Sequence, residues 1–409
     1  MTLLFWRLEM KKRPSGNPFR IHGVVGGDYF TNRADELKRI TYALTDPGSK
    51  LLVYGPRRMG KTSAILKAMD AVQRNGGHVF LADLSTASTA VDMGNRILAA
   101  ASRIMGKKWR RFVTDVVSRL NVTVSLTPDP ATGMPLPSID FNLRGDETGK
   151  QRQTLCNVLD AINETARESN MMVGIALDEF QEIHKFGGET AEWELRASIQ
   201  KHGHVGYVLS GSREHLIQRM LKNKGALYKL VDKLPFGPIN PRHLADWVDT
   251  RMSIAGIRVQ DAGDHIVHLA GPRTRDIIQV ARRCYDLAAI RGHAMIEDVE
   301  NAFEDVIGEE HDLLYACWFS LTPHQQNVLR AVAAGEKGLT TRETLSKFAL
   351  GSSGTVINTV NSLIKAGHLI REDAYTRKKV TTPTGYDFDS PFFKSWVIWH
   401  TLSDMGMPK

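Results

Sequence analysis

The chain has 409 residues, of which 42% are hydrophobic and 24% charged, with a formal net charge of +8. That length allows two or three domains, each with its own core, and the composition is that of an ordinary globular protein. Cys156, Cys284 and Cys317 lie far apart, and no apolar run approaches the roughly 18 residues of a membrane span. A disulfide scaffold, a cysteine metal cluster and a helical membrane protein are therefore excluded, and a cytoplasmic setting is expected. A basic surplus of this size is compatible with a nucleic-acid or acidic-surface partner without proving one.

In chain order, residues 1–17 read as a tail. The start "MTLLFWRLEMKKRP" has its positive charges after a short apolar patch and shows no cleavage site. Translation from Met10 is equally compatible. From 18 to 239, apolar β-rich runs alternate with helical stretches. Strands are expected at 51–54, 78–84, 171–179, 205–212 and 230–236, and their continuous apolar character fits a parallel sheet buried on both faces. Strands separated by helices imply right-handed crossovers and an α/β fold. One insertion, near 121–143, alternates apolar and polar residues around "TPDPATGMPLP" and predicts a surface β-hairpin. Residues 240–308 are helical, opening on Asn240 as N-cap with Pro241 behind it. Residues 320–400 open on Thr322 and Pro323, then read helix, helix, turn, helix and two short β segments. That is the winged-helix order.

The stretch Gly55-Pro-Arg-Arg-Met-Gly60-Lys61-Thr62 is a complete G-x-x-x-x-G-K-[ST] phosphate loop, with a strand before it and a helix after it. Its backbone N–H groups would form a nest for phosphate, assisted by the positive end of the following helix. Gly55, Pro56, Arg57, Arg58, Met59, Gly60, Lys61, Thr62 and Ser63 are accordingly the nucleotide-binding candidates. Lys61 would reach the β- and γ-phosphates, and the Thr62 hydroxyl would ligate Mg²⁺. The strand "VGIALDEF" ends in Asp178, a second metal-site candidate, and Glu179, the candidate base for an attacking water. The next strand ends in Ser210 and Ser212. Either hydroxyl suits the γ-phosphate or the water, and Ser210 is taken with Glu179 and Lys61 into the catalytic set.

These motifs, with "FTNRADELKRI", "LSGS" and "FGPI" in the same order, resemble the archaeal-type ATPases of the AAA+/STAND branch of phosphate-loop proteins. The stretch "LTPHQQNVLRAVAAG…SSGTVINTVNSLIKAGHLI…YDFDSPFFKSWV" resembles the C-terminal winged helix of that family. The chain is also similar to origin-recognition initiator ATPases. The resemblance spans about residues 18 to 400. It implies a P-loop NTPase core with an AAA+-like parallel sheet, a helical lid at 240–308 and a winged helix at 320–400. It further implies ATP and Mg²⁺ as cofactors and slow hydrolysis that drives a switch. In "AGPRTRD" of the lid it points to Arg273, with Arg275 second, as an arginine for the γ-phosphate. Where many members carry an arginine before the last core strand, this chain has "GALYKLVD" with Lys229, so an obligate ring is not implied, although a homo-oligomer is compatible. Arg33 of "FTNRADEL" would lie near the adenine or cap the next helix.

Two basic clusters stand out: Arg103, Lys107, Lys108, Arg110 and Arg111 in one, and Arg371, Arg377, Lys378 and Lys379 in the other. Either suits a nucleic acid or a solvated face. On the expected recognition helix, 355–366, Asn358, Thr359 and Asn361 can hydrogen-bond bases. The expected partner is double-stranded DNA, held by Asn358, Asn361, Arg377, Lys378 and Lys379. The competing reading is a signal-transduction ATPase whose winged helix docks on a protein or on its own core.

Overall fold

The computed structural model describes residues 16–21, 29–104, 106–120, 123–128, 135–140, 147–371 and 385–402. The chain forms two compact units, Val24–Gly237 and Met1–Gly23 with Pro238–Lys409.

In the first unit the elements run α1 (Ala34–Thr45), β1 (Lys50–Tyr54), α2 (Lys61–Arg74), β2 (His78–Asp83), α3 (Ala90–Ser102), α4 (Lys107–Arg119), β3 (Thr123–Pro128), β4 (Pro135–Asp140), α5 (Glu147–Glu168), β5 (Val173–Asp178), α6 (Gly188–Ile199), β6 (Val205–Gly211), α7 (Glu214–Leu221) and β7 (Asp232–Pro235). Five strands make one sheet in the order β2-β5-β6-β1-β7, parallel throughout. Every residue of β5 and β6 is buried, which is why both read as unbroken apolar runs. β7 is an edge strand with one buried residue, and it is shorter than the predicted 230–236. The insertion is an antiparallel hairpin of β3 and β4, shifted by a few residues from the predicted segments.

Gly174 and Gly206 are register partners on β5 and β6. A Cβ on Gly174 would stand 2.4 Å from the Leu44 carbonyl oxygen, and one on Gly206 would stand 2.2 Å from that of Ala43. The paired glycines therefore let the C-terminal turn of α1 lie directly on the sheet. On the other face, Ile175, Leu177, Tyr207 and Leu209 join α3, α4 and α5 in one hydrophobic core.

The second unit contains α8 (Pro241–Ile254), β8 (Arg258–Val259), α9 (Ala262–Ala270), α10 (Thr274–Ala288), β9 (His293–Ala294), α11 (Ile296–Glu309), α12 (His311–Phe319), α13 (Pro323–Ala333), α14 (Arg342–Lys347), α15 (Ser353–Ala366), β10 (Leu369–Arg371), β11 (Tyr386–Phe388) and α16 (Pro391–Val397). β10 and β11 pair antiparallel after three helices. As the sequence suggests, Asn240 caps α8 by accepting from His243 N–H, and Thr322 caps α13 by accepting from Gln325 N–H. One continuous core runs from Leu244 on α8 to Phe392 on α16, so the helices of 240–308 and those of 320–400 are not independent bodies. Residues 16–21 belong here too. Phe19 is fully buried against Trp247, and the Asn17 amide donates to the Arg282 carbonyl at 2.9 Å and to Asp286 at 2.8 Å.

Gly55 closes β1 against the edge strand. Its φ is +158°, and a Cβ there would lie 2.2 Å from the Phe236 carbonyl oxygen, a backbone atom that Phe236 N–H → Tyr54 O (2.7 Å) holds in place. Gly55→Ala is expected to displace the loop from the strand end and destabilise the protein by about 2 kcal/mol or more, the scale of overpacking in a tight site. Thermal denaturation checks this; an unchanged melting temperature would contradict the close approach.

A candidate nucleotide site at the strand ends

In a parallel sheet all strands finish at the same edge, and ligands bind there. Here that edge carries the phosphate loop after β1, Asp178 and Glu179 at the end of β5, and Ser212 just past β6.

The loop is anchored by Met59, which is almost fully buried, while Arg57 and Arg58 are exposed. Gly60 is the N-cap of α2 and has a left-handed φ of 89°, with no side chain capping the helix. The first N–H groups of α2 thus stay available to an anion. Lys61 is buried and folds back over the loop. Its ammonium donates to the carbonyl oxygens of Gly55 (2.8 Å) and Pro56 (2.6 Å). Thr62 Oγ1 donates to Asp178 Oδ2 at 2.7 Å, so the two expected metal ligands meet directly. Asp178 Oδ1 in turn accepts from the Glu179 N–H at 3.1 Å.

Glu179 has a left-handed backbone, φ 52°. The turn brings Gln181, two residues later, back onto it. Glu179 Oε2 accepts from Gln181 Nε2 at 2.5 Å and from Ser212 Oγ at 2.7 Å. Its other oxygen has no hydrogen bond among the described residues. Gln181 is wholly buried. Ser212 also accepts from Arg57 Nε of the phosphate loop, at 3.4 Å, and the next residue, Arg213, is tied to buried Glu182 at 3.0 Å. The serine that reaches Glu179 is therefore Ser212. Ser210, taken from the sequence as the catalytic candidate, is fully buried inside β6. Gln181 was not foreseen; only a left-handed Glu179 brings it into place, and no sequence motif announces that.

Arg33 is the N-cap of α1 but makes no side-chain cap. Its guanidinium lies 4.1 Å from the Phe236 ring centroid and donates to Glu36 at 2.9 Å and to the Gly237 carbonyl at 2.5 Å. Burial lowers its pKa from the usual value, opposed by the Glu36 carboxylate.

The remaining predicted residues lie in the second unit. Arg273 is buried and ion-paired with Asp389, and Arg275 is exposed. Asn358 and Asn361 are exposed on α15, whereas Thr359 is turned inward to His324 Nδ1 at 2.9 Å. Arg377, Lys378 and Lys379 lie outside the described residues. No cluster of three or more His, Cys, Asp or Glu able to hold a metal occurs among the described residues. The donor set at Thr62 and Asp178 suits Mg²⁺, which takes one or two protein ligands and keeps its waters. No helix among the described residues is long and apolar enough to cross a membrane.

Similarity to known proteins agrees with this geometry. The full fold is similar to a Walker-type ATPase of Pyrococcus abyssi, with a TM-score of 0.63 and 14% identity over 93% of this chain and 99% of that one. It is also similar to the ORC2 protein of Aeropyrum pernix in ADPNP–ADP complexes, with a TM-score of 0.56 and 14% identity over 95% and 98% of the two chains. No curated protein matches the sequence. A family profile described as an ATPase domain predominantly from Archaea matches residues 30–239, just over half of the chain. With its phosphate loop, acidic strand end and parallel sheet, the chain belongs to this family of archaeal ATPase domains and is an ATP-hydrolysing enzyme.

Proposed function

We propose that ATP is bound and hydrolysed at the β1, β5 and β6 strand ends, and that the nucleotide state is passed to a winged helix that binds duplex DNA. The observation that carries the catalytic part is the geometry of Glu179. One carboxylate oxygen is anchored by Gln181 and Ser212, and the other is left for the proton of an attacking water. Lys61 leaves the Gly55 and Pro56 carbonyls for the β- and γ-phosphates, exchanging neutral acceptors for charged ones. Mg²⁺ held by Thr62 and Asp178 would neutralise charge on the phosphates. Arg57, which touches Ser212, couples the loop to the residue that orients Glu179. Arg273 is proposed to reach the γ-phosphate, which requires it to leave Asp389.

The DNA part rests on the second unit. Helices α13, α14 and α15 followed by the β10–β11 pair have the winged-helix order, and α15 presents Asn358, Asn361 and Lys365 on its exposed side. Asparagine pairs well with adenine in the major groove. Arg377, Lys378 and Lys379 would contact the backbone. Cytoplasmic location and a homo-oligomer accord with this reading. A protein-docking alternative is favoured by one observation. On α12 the rings of Tyr315 and Phe319 are exposed side by side, 4.3 Å between centroids, with Leu313 also exposed.

Two measurements test the proposal. Glu179→Gln should keep ATP affinity while phosphate release falls about 100-fold, the scale of a lost general base; release at the wild-type rate would remove Glu179 from that role. Asn358→Ala with Asn361→Ala should weaken binding of a cognate duplex by about 1–3 kcal/mol per lost base contact and erase sequence preference. Competition assays that show unchanged affinity and preference would favour the protein-docking reading.

A further inference from the structure

Helix α4 concentrates exposed cations on one face. Arg74, Arg96, Arg119, Arg152, Arg167 and Arg219 each lie beside a carboxylate. Lys107, Lys108, Arg110 and Arg111 are all exposed, and none has an ion pair among the described residues. Residues 103–114 contain these four cations and Arg103 and no acid; Asp115, one turn after Arg111, is the one acid in the α4 sequence.

The roll of the helix is locked. Trp109, Phe112 and Val116 are buried in the core. The Trp109 indole donates to the Ala101 carbonyl at 2.6 Å and its ring stacks on His78 and Phe112, at 5.0 and 4.6 Å between centroids. At about 100° per residue the four cations cover an arc of roughly 160° on the opposite side. Lys107 and Lys108 also stand in the first turn, where the helix already carries partial positive charge, and no acidic residue or side-chain cap offsets them. That arrangement costs stability in the free protein and is relieved by a dense negative surface.

We propose that the exposed face of α4 is a second, sequence-independent contact for the phosphate backbone of duplex DNA. A duplex presents one charge about every 1.7 Å of its axis, so four cations within about 6 Å of helix meet several phosphates at once. The four exposed cationic positions carry no aromatic ring to stack on bases and no amide to read their edges, so the contact positions without specifying. An anionic bilayer fits less well: surface helices insert an apolar face, and that of α4 is spent in the core. The proposal stands on α4 alone, in the ATPase unit, and does not rest on α15 being a DNA reader.

The test uses the full chain with Lys107→Gln, Lys108→Gln, Arg110→Gln and Arg111→Gln combined. Anisotropy of a short labelled DNA duplex of mixed sequence is followed over a salt series, with phosphatidylserine vesicles in parallel. The variant should bind the duplex more weakly, with the plot of log K against log salt flatter by up to about 3.6, or about 0.9 per lost phosphate contact. ATP hydrolysis and melting temperature should not fall. Should the quadruple variant melt early, Arg110→Gln with Arg111→Gln is used, with a flattening of up to about 1.8. The Asn358→Ala, Asn361→Ala variant should keep this salt-dependent component whatever it does to sequence preference. Equal affinity and equal slope in a folded α4 variant overturn the proposal. So does a wild-type chain that fails to bind the duplex at low salt, or a loss confined to vesicle binding.

Discussion

The hydrogen bond from Thr62 to Asp178 is where the site is assembled. Thr62 stands in the first turn of the helix after β1, and Asp178 closes β5, two strands away with β6 between them. The phosphate loop and the acidic strand end are more than a hundred residues apart in sequence, so their juxtaposition depends on the sheet. Parallel pairing in one register places Tyr54, Asp178 and Gly211 at the same edge. The paired glycines Gly174 and Gly206, which admit α1 to the back of that sheet, serve the same geometry from the other side.

What the sequence revealed follows from how local each feature is. The loop from Gly55 to Thr62 is a contiguous motif, and a buried strand ending in two acids is another, so Lys61, Thr62, Asp178 and Glu179 were legible. The choice between Ser210 and Ser212 was not. It depends on β6 staying buried through Gly211, which leaves Ser212 as the first hydroxyl beyond the strand. Gln181 was invisible because its position follows from a left-handed Glu179, a backbone state that side-chain identity does not announce. Arg33, one of whose expected roles was to cap α1, makes no such cap and is stacked on Phe236. Thr359 looked equivalent to its neighbours on α15 until His324 claimed its hydroxyl.

The second unit is organised by packing. Its helical and C-terminal parts share a single core, and Phe19 from the start of the chain fills a place in it. A core of this kind is one close-packed body, and such interiors resist continuous deformation. The pairing of Arg273 with Asp389 sits within that body and links the helical segment to the residue after β11.

The central claim is that the phosphate loop holds ATP through Lys61. Titration calorimetry with Mg·ATP on wild type and on folded Lys61→Ala measures it most directly. Loss of a charge-assisted contact of about 2–3 kcal/mol predicts affinity weakened by about 30- to 150-fold. Equal affinity in the two proteins would contradict the account.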